Sequence, residues 1–145
     1  MTRLTGSCLC GAVRYEIEGG ISPMGHCHCR TCRKTHGAPF STTARVPVAA
    51  LTWRSGEEGL RAFESSPGKR RYFCGTCGSH VVARRDGQDE WILRLGCLDG
   101  DPGHRPRGHI WTSERATWYE IPEDGLPRFP EGLPARRPRD VSSDG

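Results

Sequence analysis

The 145-residue chain has no apolar run approaching the roughly 18 residues that a helical membrane span needs, and Met1-Thr2-Arg3-Leu4-Thr5-Gly6 lacks the apolar stretch of a secretion signal. Both absences point to a soluble, cytoplasmic protein with no membrane partner. Lysine is scarce, with only Lys34 and Lys69 among the 21 basic residues, and the arginines are scattered among 17 acids to leave a net charge of +4. A chain without a block of one sign carries little of the electrostatic footprint of nucleic-acid binding. Hydrophobic residues make up only 34% of the chain and aromatics 8%, while 19 glycines and 11 prolines interrupt any long element. The core must be thin and the elements short, so cross-links by metal would compensate for missing apolar burial.

What the chain does have is sulfur. Seven of its eight cysteines stand in three clusters: Cys8-Leu9-Cys10, Cys27-His28-Cys29-Arg30-Thr31-Cys32 and Cys74-Gly75-Thr76-Cys77. With no secretion signal, CxC and CxxC pairs indicate reduced thiols holding metal rather than disulfides. A closed tetrahedral zinc site needs four ligands, so two clusters of two complete one site, and three thiolates remain with a coordination position free. Sequence permits other divisions. Cys29-x-x-Cys32 and Cys74-x-x-Cys77 could form a zinc ribbon that strands Cys8, Cys10 and Cys27, or Cys97 or one of His26, His28, His36, His80 and His109 could close the triplet. The ribbon leaves three thiols unused, and Cys97 reads more simply as a small buried thiol at a strand end.

Ala12 to Glu18 alternates apolar and polar side chains before Gly19-Gly20, the pattern of a half-buried strand. An extended backbone just upstream would point the Cys8 and Cys10 sulfurs to one face. Residues 40–46, 51–54, 60–64, 70–73, 80–85 and 91–95 read as further short strands between turn residues, which predicts a mainly β, antiparallel single domain. Helix is confined to a turn or two at 30–35 and at 113–117, the latter capped by Ser113. The domain is expected over residues 1–130, and the residues from 131 to 145 read as a disordered tail. Trp91, Trp111 and Trp118 read as core or core-edge aromatics, and Arg70-Arg71 and Arg84-Arg85 as surface charge.

The blocks Cys8-Leu-Cys10-Gly11-Ala12-Val13-Arg14-Tyr15, His26-Cys27-His28-Cys29-Arg30-Thr31-Cys32-Arg33-Lys34 with Gly37-Ala38-Pro39-Phe40, Phe73-Cys74-Gly75-Thr76-Cys77-Gly78-Ser79 and Gly96-Cys97-Leu98-Asp99 follow in an order that resembles the glutathione-dependent formaldehyde-activating family, which includes the centromere protein V-like domain. A late block from Pro106 through His109 and Trp118 to Phe129 extends the likeness. The resemblance implies zinc-braced antiparallel sheets of the β-tent type and two zinc ions. It assigns Cys8, Cys10, Cys74 and Cys77 to a structural zinc, and Cys27, Cys29 and Cys32 to a catalytic one. It further implies a carbon-sulfur lyase reaction run in reverse, in which glutathione adds to formaldehyde to give S-hydroxymethylglutathione. Cys97 and Asp99-Gly100-Asp101 depart from the family pattern.

A zinc that already carries three thiolates is a weak Lewis acid but a natural binder of a fourth thiol, which loses its proton on coordination. Arg30, Arg33 and Lys34 flank the triplet and are candidates for the carboxylates of glutathione, and His109 is a candidate proton shuttle or site wall. Two other readings compete: a zinc-stabilised, non-catalytic binding module, which needs both metal sites closed and a basic stripe with exposed aromatics, and a zinc hydrolase, which needs a general base that residues 26–36 do not supply.

Overall fold

The computed structural model describes residues 3–133, so the greater part of the expected tail, from residue 134 on, lies outside the described residues. Two sheets carry the fold. The smaller joins β1 (Arg3–Ser7), β2 (Arg14–Glu18) and β5 (Leu51–Ser55), with β2 central and both pairings antiparallel. The larger has seven strands: β3 (Gly25–Cys27), β4 (Ser41–Pro47), β6 (Leu60–Ser66), β7 (Lys69–Cys74), β8 (His80–Arg85), β9 (Glu90–Arg94) and β10 (His109–Ile110). They run in the order β10-β3-β4-β9-β8-β7-β6, antiparallel except that β10 lies parallel to β3. A single short α-helix among the described residues, α1 (Arg30–His36), connects β3 to β4. The mainly β single domain with very short helices is therefore present, with one parallel pair in an otherwise antiparallel arrangement.

Period-two patterning explains why the sheets pack. In β2, Tyr15 and Ile17 are fully buried, whereas Arg14 and Glu18 face water. Those two side chains join Leu4 of β1, Leu51 of β5, Val46 of β4, Val81 and Val82 of β8 and Leu93 of β9 in the main core between the sheets. Each fully buried aliphatic or aromatic side chain of this kind contributes about 1.5–3 kcal/mol. Gly6 is opposite Tyr15 in the register, and a Cβ there would land inside the Tyr15 ring, so the absence of a side chain is what lets the ring lie flat across β1.

Several expectations need correction. The short strands β1, β3 and β10 were not foreseen, because runs of only two to five residues show no apolar period. Cys8 and Cys10 lie in a turn rather than in extended backbone: the Cys8 amide donates to Val13 O at 3.1 Å and the Gly11 amide to Cys8 O at 3.0 Å. The expected helix at 113–117 is a 3₁₀ turn over Thr112–Glu114, and the Ser113 hydroxyl donates to Pro130 O at 2.6 Å instead of capping it. Trp118 is 71% exposed and belongs to no core, whereas Trp91 and Trp111 are half-buried.

Replacing Gly6 by Ala should destabilise the protein by about 1–3 kcal/mol through overpacking against Tyr15. Urea denaturation checks this, and an unchanged midpoint would show that the two strands separate freely at that point.

Candidate functional site

The structure gathers the seven clustered cysteines into two groups. Cys8 and Cys10 follow β1 in the small sheet, and Cys74 and Cys77 form a knuckle at the end of β7 in the large one; their four sulfurs lie within 4.8 Å of one another. Cys8 and Cys10 Sγ are 3.6 Å apart and Cys10 and Cys74 Sγ 3.8 Å. Four thiolates about 2.3 Å from a central zinc stand about 3.8 Å from each other, so the donor set and its spacing fit a closed zinc site. Backbone and hydroxyl groups turn toward the sulfurs as they would toward thiolates. The Val13 amide donates to Cys8 Sγ at 3.3 Å, the Thr76 and Cys77 amides to Cys74 Sγ at 3.4 and 3.5 Å, and Ser79 Oγ lies 3.2 Å from Cys77 Sγ. The Ser79 hydroxyl and amide, with further help from Cys10, hold the Cys77 thiol down at about 5. Such a thiol is ionised at neutral pH and ready to ligate.

The second group is Cys27, Cys29 and Cys32, again within 4.8 Å. Cys27 ends β3. Cys29 is the N-cap of α1, with its sulfur accepting from the Cys32 amide at 3.3 Å, and Gly37 closes the helix in the left-handed conformation at φ 59°. The CxxC spacing therefore places one sulfur at the cap and the next in the first turn, on the side that faces Cys27. Cys32 is held far below the usual thiol range by hydrogen bonds from Cys27 and Cys29, then by Ser41 and the Arg94 charge, while the bonds to Cys29 and Cys32, with burial, push Cys27 up. Among the described residues no His, Asp, Glu or further Cys joins the three sulfurs. Cys97, the candidate closing thiol, instead donates to His80 O at 3.2 Å.

Cys27, Cys29 and Cys32 line a solvent-open cleft of ≈ 250 Å³, a little under the usual volume of drug-sized ligand sites. Its other walls were not read from sequence. Lys69, Arg71 and Arg85 come from adjacent strands β7 and β8, and Trp111 and Glu114 from the segment after β10. Arg71 corrects the expectation of surface charge most clearly: it is 2% exposed, and its Nη1 and Nη2 approach Cys32 Sγ at 3.8 and 3.9 Å while Nε donates to Ser65 Oγ at 2.9 Å. Arg70 and Arg84, by contrast, pair with Asp86 and Asp89 at the surface. Burial, followed by repulsion from Arg71, Arg85 and Arg94, pushes Lys69 down to about 8. Trp111 adopts φ 57°, a left-handed conformation that costs a non-glycine residue about 1–3 kcal/mol and here sets its side chain as a wall of the cleft.

The four residues expected to bind substrate lie elsewhere. Arg30 and Lys34 are exposed on α1 and do not line the cleft, and Arg33 is spent on Glu114 O at 3.0 Å. Glu114 is the acid that the neighbourhood of residues 26–36 lacked, but its carboxylate accepts from the Arg30 amide at 2.8 Å and so caps α1. His109 is 2% exposed and bridges the buried His28, at 2.9 Å, to the exposed Asp124, at 2.8 Å. It holds His28, and with it the Cys27-His28-Cys29 segment, rather than facing the cleft.

The profile of the family described as glutathione-dependent formaldehyde-activating enzyme matches residues 3–114, which include both sulfur groups. The chain belongs to this family. Relatives named for it include a Halomonas elongata protein, 29% identical over 140 residues covering 90% of this chain and 88% of that protein. Another is from Phaeosphaeria nodorum, 31% identical over 77 residues, or 53% of this chain and 40% of that one. A crystal structure of a Rhodobacter sphaeroides protein superposes with a TM-score of 0.56 at 26% identity, covering 70% of this chain and 97% of that one. Within the glutathione-dependent formaldehyde-activating family frame, the two sulfur groups are candidate zinc sites of different character: four donors tying two sheets together, and three donors opening on a cleft.

Purified protein should contain close to two zinc ions per chain by elemental analysis. Cys74→Ser should cost several kcal/mol of stability, on the order of the metal-coupled folding energy lost, whereas Cys29→Ser should lower the zinc content toward one and leave most of the fold. A stable, fully folded Cys74→Ser protein, or equal unfolding in both variants, would contradict the division.

Proposed function

We propose that the protein is a zinc-dependent carbon-sulfur lyase-type enzyme of the S-hydroxymethylglutathione synthase kind, joining a thiol such as glutathione to a small carbonyl compound. The observation that carries this reading is the three-sulfur group opening on a cleft whose facing wall is cationic. Zinc held by Cys27, Cys29 and Cys32 would supply a site at which a fourth thiol sheds its proton at neutral pH.

The chain's own residues do the remainder. Lys69 and Arg85, projecting from adjacent strands, are placed to take the two carboxylates of glutathione, and the Arg71 guanidinium offsets negative charge at Cys32 that would otherwise repel an incoming thiolate. Trp111 and Ile110 give the cleft an apolar side that limits water around the reacting sulfur. The thiolate sulfur attacks the carbonyl carbon, forming a C–S bond as the π pair of C=O moves to oxygen. That oxygen takes up the proton that the thiol gave away, so the addition balances without any oxidant or reductant. The reverse sequence is the lyase reaction. The part assigned from sequence to Arg30, Arg33, Lys34 and His109 passes in this proposal to the cleft residues, with His109 kept as a positioning residue for His28.

Binding of a carboxylate-bearing ligand favours protonated Lys69, so affinity should fall as pH rises through about 8. S-Methylglutathione, whose sulfur does not titrate, isolates this effect in calorimetry between pH 7 and 8.5. Wild type should lose affinity across that window and Lys69→Arg, which stays charged, should not. The same pH profile in both would remove Lys69 from the site.

A further inference from the structure

The cleft holds charge of both signs. Lys69 and Arg85 line it from β7 and β8, and Glu114 lines it from the turn over Thr112–Glu114. None of these three takes part in an ion pair among the described residues. Arg71, the remaining cation of the lining, is 2% exposed and already engaged by Cys32 Sγ and Ser65 Oγ. Glu114 is the one acid that lines the cleft among the described residues.

Glu114 is also held in place. Its Oε1 accepts from the Arg30 amide at 2.8 Å, and its backbone O accepts from Arg33 Nε at 3.0 Å. No group among the described residues bonds the other carboxylate oxygen, Oε2, and that atom is open to solvent rather than sealed in the interior. An acid anchored by one oxygen, with the second free in a cationic cleft, is a preorganised acceptor for a positive group on the ligand. Two free cations and one free acid are the inverse of a thiol that carries two carboxylates and one ammonium group. In a γ-glutamyl thiol that ammonium shares its carbon with one of the carboxylates, so recognition of that end takes a cation and an acid in the same cleft.

We propose that Glu114 is the residue that selects the thiol: its Oε2 accepts from the α-ammonium group of a γ-glutamyl thiol, while Lys69 and Arg85 take the carboxylates. The proposal rests on the reading of the cleft as a thiol site and adds to it the residue that decides which thiols are retained. Anionic thiols without the ammonium group leave the Glu114 carboxylate unanswered and are disfavoured.

Calorimetry of the zinc-loaded protein at pH 7 compares S-methylglutathione with its desamino counterpart, in which a glutaryl group replaces the γ-glutamyl group. The desamino ligand is the more negative of the two, so cations alone would bind it at least as tightly. With Glu114 in the stated role, wild type binds S-methylglutathione tighter by about tenfold, the scale of one hydrogen bond between charged groups. Glu114→Gln keeps an oxygen for the Arg30 amide and loses the charge, so it should weaken S-methylglutathione but not the desamino ligand. The desamino ligand is the internal control, because damage to α1 or to the cleft would weaken both. Equal loss of both ligands in Glu114→Gln would overturn the assignment and leave the thiol cleft standing. So would a wild type that binds the desamino ligand as tightly as S-methylglutathione, a comparison that needs no variant. Failure of wild type to bind either ligand would remove the thiol reading of the cleft, and this inference with it.

Discussion

The fold depends on four sulfurs brought together from two different sheets. Cys8 and Cys10 leave the three-stranded sheet and Cys74 and Cys77 leave the seven-stranded one, so a metal ion held at their centre would fasten the sheets at the edge of the core. The main apolar cluster on its own is small, and two of its buried members, Cys8 and Cys74, are themselves cysteines of this group. A second tie runs alongside: the Thr5 and Ser7 hydroxyls donate to the two Asp99 oxygens at 2.9 and 2.6 Å, and Gly6 bridges to Leu98. With so little apolar surface, these ends have to be held by directional bonds rather than by burial.

The same economy shapes the site. A triplet built on a strand end and one helical turn needs rigid support, and it gets it from three directions: the Gly37 stop of α1, the Glu114 carboxylate on the α1 amide, and the His28–His109–Asp124 row. Arg71 approaches Cys32 Sγ from the wall of the cleft, and the charge of the buried Arg94 acts on the same sulfur. Negative charge concentrated on three sulfurs is what makes two buried arginines tolerable there, and the arginines in turn favour ionised sulfur.

Much of this was legible in the chain. The spacing of the cysteines suggested the two groups while leaving a ribbon of Cys29, Cys32, Cys74 and Cys77 open, and alternation over Ala12 to Glu18 and the run from His80 to Arg85 between turns indicated strands that carry the core. What was hidden has a common cause. Arg71 reads as surface charge because sequence reveals the sign of a side chain but not which face of β7 it occupies, and only the pairing of β7 with β8 turns it toward Cys32. Lys69, Arg85 and Glu114 reach the cleft across long sequence distances, whereas Arg30, Arg33 and Lys34, adjacent to the triplet in sequence, are not among its lining residues. The two-residue β10 and the positive φ of Trp111 leave no periodic signal, yet they set one wall of the cleft.

The central claim is the unequal character of the two sulfur groups, one closed by four donors and one left with room for a substrate thiol. Electronic absorption of the cobalt-substituted protein, with and without glutathione, addresses it directly. The account predicts that added thiol increases sulfur-to-cobalt charge-transfer absorption, and that the change disappears in Cys29→Ser while the spectrum of the four-sulfur site persists. An absorption spectrum indifferent to added thiol would contradict it.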